Sequence, residues 1–167
     1  FPIPDDADVE YVYDGLMQLG AALCTDTVDL VLSTDGDVPS QPQQESEAHH
    51  GAPKIFKETC AIDFSLSAKR IYDFVRGLSP VPGAWCMLTP RDAQAKAQVL
   101  KVYKAAKTGE SSNGVEVGTL KAENRRLLVA TVDEWLELVE LQPAGKKRMA
   151  ARDYLNGFQH PEDFLLK

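Results

Sequence analysis

The sequence predicts an α+β chain, mainly β, in which a helix and a linker precede a small closed or half-closed barrel of five strands. Three observations predict it. Apolar residues near the amino end recur at three- and four-residue intervals. A stretch rich in Gly, Pro and Gln then carries no period at all. Beyond Ala84 the period changes to two over five short segments.

The elements follow in order. Residues 1–4 read as the end of a strand or an extended arm. Over residues 8–32, Val9, Val12, Leu16, Leu19, Leu23 and Leu30 form an amphipathic stripe, with Asp5, Asp6 and Asp8 at the positive end of the helix dipole. That apolar face needs a cover, and the residues after it do not supply one. Gly36, Pro39, Pro42, Gly51 and Pro53 mark a linker, and His49 and His50 within it have no acidic or cysteine partner at ligand spacing. Ser67 caps a short helix with Ala68, Ile71, Phe74, Val75 and Leu78 on one side, and Pro80 and Pro82 end it. Strands are expected over 84–88, 99–105, 115–121, 125–132 and 135–141, and a last helix over 150–156 stops at Gly157. Along the second strand Val99, Lys101 and Tyr103 alternate against Leu100, Val102 and Lys104.

No run approaches the roughly 18–20 apolar residues a membrane helix needs, and a chain opening on Phe1 rather than Met predicts a processed or excised fragment. The net charge of −7 argues against a nucleic-acid partner until the chain is divided. Residues 1–50 hold eleven acidic and no basic residues, whereas residues 51–167 carry 18 Lys or Arg against 14 Asp or Glu. All positive charge lies beyond the linker, so the two pieces face different partners. Cys24, Cys60 and Cys86 are scattered and fit a reducing, cytoplasmic compartment with buried thiols. With His49, His50 and His160 they complete no metal-ligand pattern. No poised acid–base pair and no Gly-rich phosphate loop is visible.

Two stretches are too particular for periodicity to explain: Arg76-Gly77-Leu78-Ser79-Pro80-Val81-Pro82-Gly83-Ala84-Trp85 and Leu141-Gln142-Pro143-Ala144-Gly145-Lys146-Lys147-Arg148-Met149. Both resemble the signature segments of the carboxyl-terminal domain of methionyl-tRNA formyltransferases. Ala52-Pro53-Lys54-Ile55 with Ile62-Asp63-Phe64 is similar to that family's linker-to-domain entry. Asp14-Gly15-Leu16 with Leu19-Gly20 is similar to the final helix of its catalytic domain, and Ile55-Phe56-Lys57-Glu58-Thr59-Cys60 resembles the Bacteroidetes branch. The resemblance covers essentially the whole chain. It implies residues 1–35 as the tail of a Rossmann-like catalytic domain, 36–63 as linker, and 64–167 as an OB-like tRNA-binding domain. It also implies a bacterial parent enzyme that moves a formyl group from 10-formyltetrahydrofolate to Met on initiator tRNA. The family's catalytic Asn, His and Asp lie upstream and have no counterpart here, so no residue is assigned a catalytic role and none binds a metal.

Candidate tRNA contacts are cationic, because phosphates attract cations whatever the base sequence. Lys146, Lys147 and Arg148 follow a turn at Pro143-Ala144-Gly145. Arg125 and Arg126 start a strand, and the resemblance adds Lys54 and Lys57 at the linker exit. Arg76, before Gly77, reads equally as a cation on the helix dipole or as a phosphate contact. Tyr72, Phe74 and Trp85 read as core rather than base-stacking aromatics, and Lys69 and Arg70 as solvated. Two other readings stand beside this one. The barrel of a sugar-nucleotide or folate-linked formyltransferase, serving as scaffold, is set apart by the segment 142–149. A free-standing binding barrel is disfavoured by the helix at the front.

Overall fold

A computed structural model describes residues 1–42, 44, 51–92 and 95–167. His49 and His50 lie outside the described residues. The chain opens on an exposed, extended arm and enters α1 (Val9–Ser33), where the Asp8 carboxylate accepts from the Tyr11 amide at 3.0 Å and satisfies one of the four unpaired amides of the first turn. No residue of α1 is buried. Tyr11, Tyr13, Leu16, Met17, Leu23 and Leu32 are all exposed. They circle the helix rather than forming one stripe, which corrects the amphipathic reading. A helix apolar on several sides is built to be enclosed. By length and composition α1 also meets the requirement for crossing a membrane, which the run-length reading missed because Asp14, Asp26 and Asp29 interrupt it. Cys24, expected buried, is exposed on this helix, whereas Cys60 and Cys86 are buried and burial pushes the Cys86 thiol far up.

After a 3₁₀ turn at Glu58–Cys60 comes α2 (Ala68–Leu78). Two residues far apart in sequence start it. Ser67 Oγ accepts from the Arg70 amide at 3.4 Å, and Asp133 Oδ1 accepts from the Ala68 amide at 2.9 Å. Ile71, Val75 and Leu78 are buried and cover the sheet below, and Phe74 is half-buried beside them.

The sheet contains β1 (Ala84–Pro90), β2 (Gln98–Ser111), β3 (Leu120–Glu123), β4 (Arg126–Ala130), β5 (Glu134–Pro143), β6 (Met149–Ala150) and β7 (Phe164–Leu166), in spatial order β3-β4-β5-β2-β1-β7, with β6 on β5. Every pairing between these strands is antiparallel. The five expected strands are present. The second runs six residues past Ala105, because irregular register at Val102/Lys104, Lys104/Ala105 and Lys107/Ser111 bends it without ending it, and such bulges erase strict alternation. The third begins at Leu120 rather than 115, since the amides of Val115 and Thr119 close turns onto Ser112 and Glu116. The last helix, α3, is only Ala151–Tyr154.

The strands β6 and β7 were not expected, and β7 nearly closes the barrel. The Leu166 amide donates to the Gly118 carbonyl at 2.9 Å, and Thr119 bridges Leu165. Gly118 has φ +86, and a Cβ there would stand 2.2 Å from the Leu166 carbonyl oxygen, so only glycine permits the seam. Inside lie Leu100, Val102, Leu120, Leu127, Val129, Leu136, Leu138 and Leu141, each almost fully buried. At about 1.5–3 kcal/mol per enclosed aliphatic side chain, this cluster dominates the favourable side of folding.

Candidate nucleic-acid interface

Strand alternation that sends Ala84, Cys86, Leu100 and Val102 inward sends Trp85, Lys101 and Tyr103 outward. Register places Trp85 opposite Lys101 and Lys101 opposite Gln142, so these side chains form a row across β1, β2 and β5. Trp85 is half-buried on this outer side. Its indole donates to the Lys57 carbonyl at 2.8 Å, and the Lys57 ammonium lies 6.0 Å from its ring centre. Lys101 donates to the Pro82 carbonyl at 3.3 Å. The Tyr103 hydroxyl donates to Gln142 Oε1 at 2.8 Å, and the Arg148 guanidinium covers the Tyr103 ring at 4.6 Å.

The adjoining β5–β6 connection is a tight turn. The Lys146 amide donates to the Pro143 carbonyl at 3.0 Å, Gly145 has φ +73, and Gln142 Nε2 donates to the Lys146 carbonyl at 2.8 Å. The three adjacent cations then diverge. Arg148 is bonded to Glu140 through both Nε, at 3.0 Å, and Nη2. Lys146 and Lys147 are exposed and make no side-chain bond or ion pair among the described residues.

The other predicted cations are placed less openly. Arg76 donates to the Ala7 carbonyl at 2.9 Å and to Asp73 at 2.9 Å, so it ties the arm before α1 to α2. Tyr72 reinforces this by donating to the Asp5 carbonyl at 2.9 Å. Lys69, then Arg76, holds the Asp73 carboxyl below its usual range. Between the arm, α2 and β2 lies a cleft of about 320 Å³ lined by Asp6, Asp8, Arg76, Lys104, Glu140 and Arg148, whose mixed charges largely cancel. Arg126 pairs with Glu110 at 3.1 Å and Glu137 at 3.9 Å. Arg125 is exposed at the β3–β4 turn with φ +61, and with Arg126 and Arg152 it borders a groove of about 430 Å³. Lys54 is exposed, 5.5 Å from the Phe56 ring. Lys101, Tyr103 and Gln142 are absent from the predicted set. Their signal was the alternation of β2, which puts a Lys and a Tyr on one side and apolar residues on the other. Among the described residues no group of three or more His, Cys, Asp or Glu gathers to hold a metal ion.

Residues 54–159 fit the model of the formyl transferase C-terminal domain, and the chain belongs to that family. Its similar curated relatives are named methionyl-tRNA formyltransferase. They include that of Parabacteroides distasonis, 46% identical over 99% of this chain and 51% of that protein, and that of Phocaeicola vulgatus, 43% identical over 95% and 49%. The Bacteroides fragilis protein is 40% identical over 99% of this chain. The chain thus spans about half the length of the curated relatives it matches. Among solved structures, HypX from Aquifex aeolicus in complex with tetrahydrofolic acid superposes with a TM-score of 0.62 at 18% identity, over 96% of this chain and 27% of that one, a likeness of fold alone.

Proposed function

We propose that this chain is the tRNA-gripping part of an enzyme that formylates Met on initiator tRNA with 10-formyltetrahydrofolate, in the cytoplasm of a bacterium. Residues 1–35 close the catalytic domain, 36–63 link, and 64–167 hold the tRNA. The observation that carries this reading is the outer row Lys57, Trp85 and Lys101, beside Lys146 and Lys147, whose ammonium groups make no bond among the described residues. The apolar surround of α1 is covered by the preceding catalytic domain rather than by lipid, because Asp14, Asp26 and Asp29 on the same helix carry charges that a bilayer disfavours. The formyl donor is held by that preceding domain. HypX shows that the barrel fold also serves a tetrahydrofolate-binding protein outside this group, so the discriminating feature for tRNA is the segment 142–149, not the fold.

The chain alone transfers no formyl group, because the family's catalytic trio has no counterpart in it. Turnover by the purified chain with Met-tRNA and formyl donor, above a no-protein control, overturns that statement. For the tRNA site, the proposal narrows the expected triplet to two residues. Arg148 is held by Glu140 and Tyr103, so Lys146 and Lys147 are the cations available to phosphate. Replacing both with Ala in the full-length enzyme is expected to weaken initiator and elongator tRNA alike, since phosphate contacts carry little sequence information. The log–log salt slope is expected to flatten by about 0.7–0.9 for each phosphate that is no longer neutralised. Dissociation constants across several salt concentrations, beside a thermal melt, decide it. An unchanged slope and affinity in a folded variant moves the site to Arg125, Arg126 and the linker lysines.

A further inference from the structure

The two signature stretches meet at one side chain, Tyr103. From the first, Gly83 presents a bare backbone to the ring: its φ is +83, and a Cβ built there would stand 3.2 Å from Tyr103 Cε1. From the second, Arg148 stacks on the ring at 4.6 Å and Gln142 accepts from the hydroxyl at 2.8 Å. The bond to Tyr103 fixes which way the Gln142 amide points. A phenol donating to Oε1 leaves Nε2 to donate onward, and it does so to the Lys146 carbonyl at 2.8 Å. The same turn is pinned at its other end, where the Ala144 amide donates to the Val99 carbonyl at 3.1 Å. The relay therefore runs from a side chain of β2, through an amide of β5, to the backbone of Lys146, the first of the two lysines whose ammonium makes no bond among the described residues.

We infer that Tyr103 and Gln142 are positioning residues for phosphate binding: they hold the 143–147 turn in the one conformation that presents Lys146 and Lys147 together. This rests on the reading of those lysines as tRNA contacts. Neither residue touches tRNA in the proposal. Both act by ordering a glycine-containing turn before the ligand arrives, so that binding does not have to order it. The arrangement also explains why Gly83 and the segment 142–149 stand together in one sequence. The glycine makes room for the ring on which the second segment is built.

The test is a double-mutant cycle in the full-length enzyme, with initiator Met-tRNA as the probe. The variants are Tyr103→Phe, Gln142→Leu, Lys146→Ala/Lys147→Ala, and each of the first two combined with the last. Tyr103→Phe keeps the ring between Gly83 and Arg148 and removes only the hydroxyl, so it stays informative if Gln142→Leu fails to fold. Each single variant is expected to weaken binding roughly three- to tenfold, the scale of losing a preordered turn. On the lysine-free background neither is expected to weaken it further, because a positioning residue has no effect once the positioned groups are gone. A merely structural role would lower affinity equally on both backgrounds, and that additivity overturns the inference. So does tRNA affinity of both Tyr103→Phe and Gln142→Leu equal to that of the parent while the lysine variant is weakened. If the lysine variant itself binds as the parent does, the tRNA reading of the turn fails, and the inference with it.

Discussion

Lys146 and Arg148 are two residues apart and end in different surroundings, and no sequence rule separates them. Three consecutive cations after a turn are legible as a basic cluster. Which of them is already engaged depends on Glu140, eight residues upstream, brought alongside by the pairing of β5 with β6. Arg76 shows the same limit. Its two sequence readings were a helix-end cation and a phosphate contact, and the structure adds a third: a bond to the Ala7 carbonyl, 69 residues away. Arg126 is likewise drawn into pairs with Glu110 and Glu137 from neighbouring strands. Trp85, read from its sequence as core, does pack against the core cluster, but half-buried and from the outer side of β1, because its neighbours Ala84 and Cys86 take the inner one. Charge and residue type were legible along the chain. Pairing was not, because partners come from other elements.

At the scale of elements, local signals served where they were local. Ser67 before the stripe of α2, Asp8 before α1, and the prolines after Leu78 marked ends that the structure reproduces within a residue or so. The short strands β6 and β7, of two and three residues, carry too little pattern for periodicity to register. Part of the start of α2 was also illegible, since Asp133 accepts from Ala68 across 65 residues. That contact makes a prediction about pH. The Ala68 amide, and then Thr131 and the Glu134 amide, hold the Asp133 carboxyl below its usual value of 3.8. A carboxyl lowered in the folded state stabilises the fold above its unfolded value, and that stabilisation is lost as pH falls through the folded one. Asp133→Ala is therefore expected to cost about 1 kcal/mol at neutral pH, the scale of a helix cap at a largely exposed site. The difference from the parent should shrink as pH drops below 3.8, the usual value. Melting temperatures of the two proteins across that range check it, and a gap independent of pH would show that the carboxylate charge is not what stabilises α2.

For the whole molecule, the decisive feature is how the barrel shuts. The expected five strands are an open sheet running from β3 to β1. Closure needs β7 to lie along β1 and reach the segment before β3, and it does so at Gly118. The direct ladder of β1 with β2 keeps Trp85, Lys101 and Tyr103 in one outer row, and β7 covers the other edge of β1. Replacing Gly118 with Ala imposes two costs at once. A non-glycine residue at φ +86 is strained, and its Cβ meets backbone rather than a side chain that can turn away. The seam must therefore open rather than adjust, and a loss of roughly 2–4 kcal/mol is expected, with faster amide exchange at Leu166 and along β7. Gly114, also at positive φ but with open space where its Cβ would go, is the control. Gly114→Ala should cost only the backbone strain, about 1 kcal/mol. Equal losses at the two sites, or slow exchange along β7 in the Gly118 variant, would mean that the barrel does not depend on this seam. If the seam matters as described, the Gly118 variant should also bind tRNA more weakly than the Gly114 variant under conditions where both are folded, because the outer row rides on β1, whose other edge is covered by β7.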